Sequence, residues 1–290
     1  MNMRPETTAI VVSYNAREEL RKCLASLFTS SGIDLHVIVI DNASTDGNVD
    51  MVRKEFPQVV LTVNKTNKGF AAAVNQGFAA AKGDVILINP DLTVMPDTIA
   101  VMKQSLDAHP DIGIIGPKLT YPDDTLQPSV KKFPDWFDLF LILSKVPNFI
   151  PSIARVYNGL TVDYKKEQTV DQVMGSCFLI RRATLDAVGA FDEGFWMWFE
   201  EVDFCKRALT KGWKTLYTPA THAVHVRAAS TTQSTAEKQR ILRNSIVHYS
   251  MKYFGPLKTK MLGPAELMSV LTGVVGDQVK LIKPYKAKHL

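Results

Sequence analysis

The sequence predicts an α/β protein with a mixed, mainly parallel sheet flanked by helices. Two observations carry that prediction. Short apolar runs that end in polar residues recur at 9–14 (AIVVSY), 35–40 (LHVIVI) and 84–88 (DVILI). Such runs read as parallel strands buried on both faces. Helical periodicity fills the intervals between them, and strands alternating with helices make a doubly wound sheet.

Each element follows in order. Residues 16–29 form a helix, with Leu20, Cys23, Leu24 and Leu27 on one face. The second strand, 35–40, is closed by DNASTDG. A helix is expected over 49–56 and a strand over 59–63. NKGFAAAVNQG (67–77) is a glycine turn feeding an alanine-rich helix, and strand 84–88 is ended by Asn89-Pro90-Asp91. In such sheets ligands bind beyond the carboxyl ends of the strands. Ser13-Tyr14-Asn15, Asp41-Asn42 and Asn89-Pro90-Asp91 all lie there. One such cluster would be an ordinary turn, but three on one edge make a pocket.

Residues 117–173 break the pattern, with prolines at 117, 122, 128, 134, 147 and 151. The apolar WFDLFLILS within them is too short to span a bilayer. It reads as a helix packed on the core, a flap over the pocket, or a surface for a lipid-linked ligand. Regular structure resumes with a strand at 173–180, a helix at 181–188, a strand at 215–219 and the segment 222–225. A helix from about 234 to 253 follows, interrupted by Pro256 and Pro264.

Hydrophobic content of 46% and charged content of 22% are those of a globular protein. No basic start followed by an apolar core begins the chain, and no run of about 18 apolar residues occurs, so neither a signal peptide nor a membrane span is expected. Cys23, Cys177 and Cys205 lack metal-like spacing and read as buried thiols in a reducing compartment. A cytoplasmic protein is therefore expected. From residue 252 to the end, seven lysines face only Glu266 and Asp277. This segment reads either as a covering helix with a solvated tail or as a peripheral contact with an anionic membrane on its cytoplasmic face. The lysines sit on a tail without an aromatic platform, which argues against nucleic acid.

Residues 191–213, FDEGFWMWFEEVDFCKRALTKGW, carry the densest chemistry. Glu200, Glu201 and Asp203 sit inside a frame of Phe195, Trp196, Trp198, Phe199 and Phe204. Val202, Cys205 and Leu209 recur at helical spacing and Gly212 stops the run, so the acids occupy a helix's first turn. Acids there suit the helix dipole, as in an ordinary surface helix. Carboxylates held against apolar rings also keep a raised pKa and suit general-base chemistry.

Two nucleotide-binding classes are excluded. The first strand is followed by SYNAREE, which is not G-x-G-x-x-G, and no G-x-x-x-x-G-K-[ST] loop occurs. A nucleotide-sugar pyrophosphorylase should carry a glycine-rich, arginine-containing loop at that point, and SYNAREE is not one.

Seven motifs in order carry a resemblance: VVSYNAREELRKCLASL, VIVIDNASTDG, NKGFAAAVNQG, INPDL, GSCFLIRR, GAFDEGFWMWFEEVDFCKR and the 217–225 end. Over about residues 7–255 the sequence resembles the inverting glycosyltransferases of family 2, which have the GT-A fold, and in particular their rhamnosyltransferase-like branch. The resemblance implies a glycosyltransferase domain over 1–255, with a nucleotide-binding half to about 116 and an acceptor-binding half over 117–255. A basic helical extension, 256–290, would follow.

It further implies that Ser13, Tyr14, Asn15, Asp41, Asn67, Gly69, Asn75 and Asn89 bind the nucleotide-sugar, a dTDP- or UDP-sugar with dTDP-L-rhamnose foremost. The family's D-x-D metal motif reads Asn89-Pro90-Asp91 here, so Asp91 would hold Mn²⁺ or Mg²⁺. His225, 24 residues after Glu201, would join it. Within the pair Glu200-Glu201 the second acid matches the family's base, with Glu200 as its rival. Trp196, Trp198 and Asp203 would meet the acceptor, a growing glycan or a polyprenyl-linked one in cell-surface polysaccharide synthesis. Asn89 and Glu201 each depart from the family's aspartate. Those departures keep open a non-catalytic relative that binds nucleotide or glycan without turnover.

Overall fold

A computed structural model describes residues 7–144, 162–226 and 235–265. The first half builds as expected. β1 (Thr7–Ser13) lies parallel to β2 (Leu35–Asp41) and to β4 (Asp84–Ile88), and β3 (Val60–Val63) continues the sheet from β2. The helices α1 (Arg17–Phe28), α2 (Asn48–Glu55), α3 (Phe70–Ala80) and α4 (Thr98–Ala108) alternate with these strands. β1 and β4 are buried at every position, which is why their sequences do not alternate.

The sheet does not stop at residue 116. β6 (Ile112–Thr120) runs straight through Pro117, so the expected division between halves at 116/117 falls inside one strand. β11 (Cys177–Ile180) inserts antiparallel between β4 and β6, the expected helix α6 (Arg182–Val188) follows it, and β12 (Lys214–His225) lies parallel to β6. β5 (Leu92–Val94) closes the edge against β12, giving the order β3-β2-β1-β4-β11-β6-β12-β5. The short strands β7 (Leu126–Gln127) and β9 (Gln168–Val170) pair with β6 and β12. β8 (Val130–Lys131) and β10 (Gln172–Val173) form a separate antiparallel pair. The proline-rich 117–173 region thus supplies four short strands that periodicity does not reveal.

The expected strand 215–219 and the segment 222–225 are one element, β12, with its register broken between Thr218 and His222. Pro219 has no N–H to give to a ladder, so the irregularity falls where the chain cannot pair.

Two apolar layers cover the sheet. Leu20, Leu24 and Leu27 pack on one face with Ile99, Met102 and Leu106, and α3 packs on the other with Phe191 and Phe204. A third cluster joins α5 (Trp136–Ser144), the 195–202 stretch and α8 (Thr235–Lys260) through Leu139, Phe195, Phe199, Ile246 and Tyr249. So the WFDLFLILS segment is a helix over residues 136–144, packed by one side on the core. α8 changes direction at Gly255, beside Pro256. The chain from 266 to the end, with the expected amphipathic stretch and four of its lysines, lies outside the described residues. Among the described residues no helix is long and apolar enough to cross a membrane.

Candidate active site

β5 and β12 bring Asp91 and His225 together. In their antiparallel pairing His225 opposes Leu92, and the Val226 N–H donates to the Asp91 carbonyl at 3.1 Å. Both side chains are buried, with His225 Nε2 3.3 Å from Asp91 Oδ1. Buried Gln127 donates through Nε2 to the His225 carbonyl at 3.4 Å, which leaves its Oε1 to accept from His225 Nδ1 at 2.7 Å. Gln127 therefore braces the ring through Nδ1 and turns Nε2 toward the carboxylate.

Two acceptors facing at that distance suit a shared cation. Neighbouring ligands of an octahedral ion bound at about 2.1 Å stand about 3.0 Å apart. Oxygen plus imidazole is a donor set for Mn²⁺ or Mg²⁺, and an imidazole braced through its other nitrogen is the usual supporting arrangement. Among the described residues no group of three or more His, Cys, Asp or Glu side chains gathers that could hold a metal ion. Asn89 is half-buried, and its backbone N–H donates to the Ser176 carbonyl at 2.9 Å.

That bond leads to the acids. Ser176 follows Gly175, and a Cβ at Gly175 would stand 3.3 Å from the Glu201 Cβ. The metal-side loop and α7 (Glu200–Thr210) therefore meet across a glycine. Glu200 is buried, and its carboxyl is pushed well above the usual range by burial and then by the charge of Glu201. Glu201 is half-buried and also raised by burial, with Lys131 pulling the other way. Each keeps one buried carboxyl oxygen without a hydrogen-bond partner. Burial raises both carboxyls, so the pair resists carrying two charges.

The approach to α7 is strained. Trp198 and Phe199, consecutive and not glycine, have φ of 68° and 75°. Left-handed backbone at such residues costs on the order of 1–3 kcal/mol each and persists only where packing enforces it. Phe199 is buried in the third cluster and Trp198 packs against it. Trp196 and Trp198 are both half-buried. Leu209, expected on the buried stripe of α7, is half exposed at 50% because the helix leaves the core in its last turn.

Several expected ligands are turned inward. Ser13 and Asp41 are fully buried: Ser13 Oγ accepts from Asn48 Nδ2 at 2.9 Å, while Asp41 accepts from Asn48 Nδ2 at 2.7 Å and the Ser44 N–H at 2.9 Å. Asp41 therefore shapes the 42–48 loop instead of presenting a carboxylate to a base. Asn15 staples the same loop, accepting the Thr45 N–H at 2.7 Å and donating its own N–H to Ser44 Oγ at 2.9 Å. Asn67 accepts from Asn42 Nδ2 at 2.8 Å and from the Gly69 N–H at 3.0 Å. Tyr14 stays half-buried at the strand end.

Gly69 does not open space for a nucleotide. Its φ is +85°, and a Cβ there would stand 2.5 Å from the Trp196 carbonyl oxygen. Asn75 is fully engaged with the 191–193 loop. Asp203 is a further correction: wholly buried, it accepts from Arg207 Nε and the Tyr253 hydroxyl at 2.7 Å each and pairs with Lys252 at 2.7 Å. An acceptor sugar cannot reach it. Neither Arg181 nor Arg182 is its partner; Arg181 donates to backbone carbonyls and Arg182 pairs with Asp186.

Sequence reasoning placed Asn42 at the pocket edge without a role and missed Asn48, Gln127 and Gly175. The first two lie in the DNASTDGN stretch, whose polarity was visible. Gln127 carries no local signal, standing 98 residues from its partner.

The family model for Glycosyl transferase family 2 matches residues 8–189, more than half of the chain. This chain belongs to glycosyltransferase family 2. The transferase is 30% identical over 242 residues to the N-acetylglucosaminyl-diphospho-decaprenol L-rhamnosyltransferase of Mycobacterium tuberculosis, covering 77% of this chain and 76% of that one. It is 30% identical over 106 residues to the succinoglycan biosynthesis protein ExoO of Rhizobium meliloti, covering 36% of this chain and 30% of that one. In fold it is similar to a mannosyltransferase from Pyrobaculum calidifontis in complex with GDP-Man and Mn²⁺, with a TM-score of 0.60 and 18% identity over 97% of this chain and 77% of that one. The GT-A fold expected from the sequence is the one observed, and the protein is a glycosyltransferase related to rhamnosyltransferases.

Proposed function

We propose that this family 2 enzyme transfers L-rhamnose, with inversion, from a dTDP-activated donor to a polyprenyl-diphosphate-linked glycan in cell-surface polysaccharide synthesis. A UDP-sugar is the second donor to try. The observation that carries the chemistry is the Gly175-Ser176 link between the two pairs: Gly175 packs against Glu201 of the raised-pKa acid pair, and the Ser176 carbonyl accepts the N–H of Asn89, two residues before Asp91 of the Asp91–His225 pair. The sugar and the lipid carrier rest on the similarity to the mycobacterial rhamnosyltransferase.

In this reading Glu201 takes the proton from the acceptor hydroxyl as that oxygen attacks the anomeric carbon from the face opposite the diphosphate. Glu200 stays protonated beside it and keeps the pair from carrying two charges. Asp91 and His225 Nε2 would hold the divalent cation, with Gln127 fixing the orientation of the imidazole. A bound Mn²⁺ or Mg²⁺ supplies charge stabilisation to the departing diphosphate. Trp196 and Trp198 offer faces for sugar rings, and Tyr14, Asn15 and Asn89 line the donor side.

The lipid part of the acceptor needs a membrane face. Phe137, Leu257 and Met261 are 58%, 74% and 54% exposed. The Trp136 indole N–H donates to the Lys258 carbonyl at 2.7 Å, which brings α5 and the end of α8 together there. Exposed apolar side chains beside Lys258 and Lys260 suit an anionic bilayer.

Thermal melting with Mn²⁺ and a panel of nucleotides tests the donor first. A ligand at about 100 times its Kd stabilises by about 2.7 kcal/mol. A shift with dTDP that requires metal, followed by transfer from dTDP-L-rhamnose, supports the reading; a shift with GDP or CMP alone would replace the donor.

A further inference from the structure

α3 leaves the donor-side turn and grips the loop that leads to the acids. The grip has two points. At the helix start, the Phe70 N–H donates to the Trp196 carbonyl at 2.6 Å, and Gly69 leaves no room for a side chain between them. Further along α3, Asn75 Oδ1 accepts the Phe191 N–H at 2.9 Å. Its Nδ2 donates to the Phe191 carbonyl at 3.0 Å and to Glu193 Oε1 at 2.9 Å. One side-chain amide thus pairs with both backbone groups of Phe191, as a neighbouring strand would.

The gripped loop is the strained one. Past the second grip the chain passes through Trp198 and Phe199, both left-handed, and enters α7 at Glu200. A backbone in that state relaxes when its restraints are removed, and Glu200 and Glu201 are the next residues to move. α8 holds the outer side of the loop: Ser245 Oγ donates to the Met197 carbonyl at 2.8 Å, and Lys252 pairs with Asp192 at 2.7 Å. α3 holds the inner side. It begins directly after Asn67 and Lys68, which bond to Asn42 at the end of β2.

We propose that Asn75 and Gly69 are positioning residues that set Glu201: α3, anchored at the end of β2, holds the 191–199 loop and so the base. This rests on the proposed function for the identity of the base, but the mechanical link stands on its own contacts. It also separates two roles for Asn75. A nucleotide ligand would set donor affinity, whereas a positioning residue sets turnover.

The test uses the full-length enzyme with Mn²⁺. Asn75→Leu keeps the branched shape of the side chain and removes all three hydrogen bonds; Asn75→Ser is the smaller variant should the first not fold. Gly69→Ala strikes the other grip. The expected result is a fall in kcat on the order of 10- to 100-fold, the penalty for a misplaced catalytic group, with dTDP affinity within about twofold of wild type. Hydrogen exchange followed by mass spectrometry gives a readout independent of transfer. Amides of 195–202 should exchange faster in the Asn75 variants than in wild type. Unchanged exchange in both variants, or a loss of dTDP affinity at unchanged kcat, would overturn the proposal. If wild type transfers no sugar, the functional reading fails while the exchange data still decide the link.

Discussion

His225 Nε2 faces Asp91 Oδ1 at 3.3 Å, and Gln127 braces the opposite ring nitrogen at 2.7 Å. A pair made this way should bind a cation only while the imidazole keeps its orientation. His225→Ala should raise the Mn²⁺ concentration needed for half-maximal activity. Gln127→Leu should do the same by about 10-fold or more, the usual effect of losing a supporting hydrogen bond. Metal titration of activity measures both. An unchanged metal requirement in His225→Ala would remove the imidazole from the site.

Glu201→Gln should lower kcat by about 10²–10⁴-fold, the range for loss of a general base, and leave dTDP binding intact. Glu200→Gln should be much milder, because an amide resembles the protonated acid it replaces. The opposite ranking, measured at saturating donor and acceptor, would make Glu200 the base.

The same acids set the pH response. Both carboxyls are raised, so the acid limb of kcat should lie above about 4.3, the ordinary glutamate value. Stability runs the other way. A carboxyl that holds its proton more tightly when folded makes the folded state the more protonated one, and stability then falls as pH rises through the unfolded value toward the folded one. Glu200→Gln removes that loss. The variant should melt above wild type at pH 7, and the two should converge below about pH 4. A wild type that is the more stable at pH 7 would contradict the burial of Glu200.

How far these features were legible depends on whether their cause is local. The buried strands, α3 and the acid-bearing turn of α7 each announce themselves within a dozen residues, because burial pattern and turn chemistry are local properties. The polar strand ends were legible as a pocket edge, but their division of labour was not. Asn48, seven residues on, satisfies Asp41, and Asn75 finds Phe191 across 116 residues, so their amides bond within the protein. Type and position alone cannot tell an inward amide from an outward one. The short strands β7 to β10 were invisible for a related reason: two- or three-residue strands are fixed by their partners, not by their own periodicity.

Asp203 illustrates the energetic side of that distinction. Wholly buried and bonded to Arg207, Lys252 and Tyr253, it ties α7 to α8. Removing one partner of a buried ion pair strands the others, at a cost of roughly 3–5 kcal/mol. Asp203→Ala should lose about that much in chemical denaturation, while whatever folds should keep the acceptor KM of wild type. A raised acceptor KM at unchanged stability would return Asp203 to the binding surface.

Membrane contact can be tested on the described residues alone. Phe137, Leu257 and Met261 form the exposed apolar component, and Lys258 and Lys260 the charged one. Each lysine near an anionic surface contributes about 1 kcal/mol, and this contribution is screened by salt. Insertion of apolar side chains is not screened in that way. Co-sedimentation with anionic vesicles should therefore weaken with salt in wild type, weaken further in Lys258→Glu/Lys260→Glu, and fall at every salt concentration in Phe137→Ser/Leu257→Ser. Deleting residues 266–290 separates this patch from the basic tail. If the deletion alone abolishes vesicle binding and the patch variants bind normally, the tail is the membrane contact and the α5–α8 face serves something else.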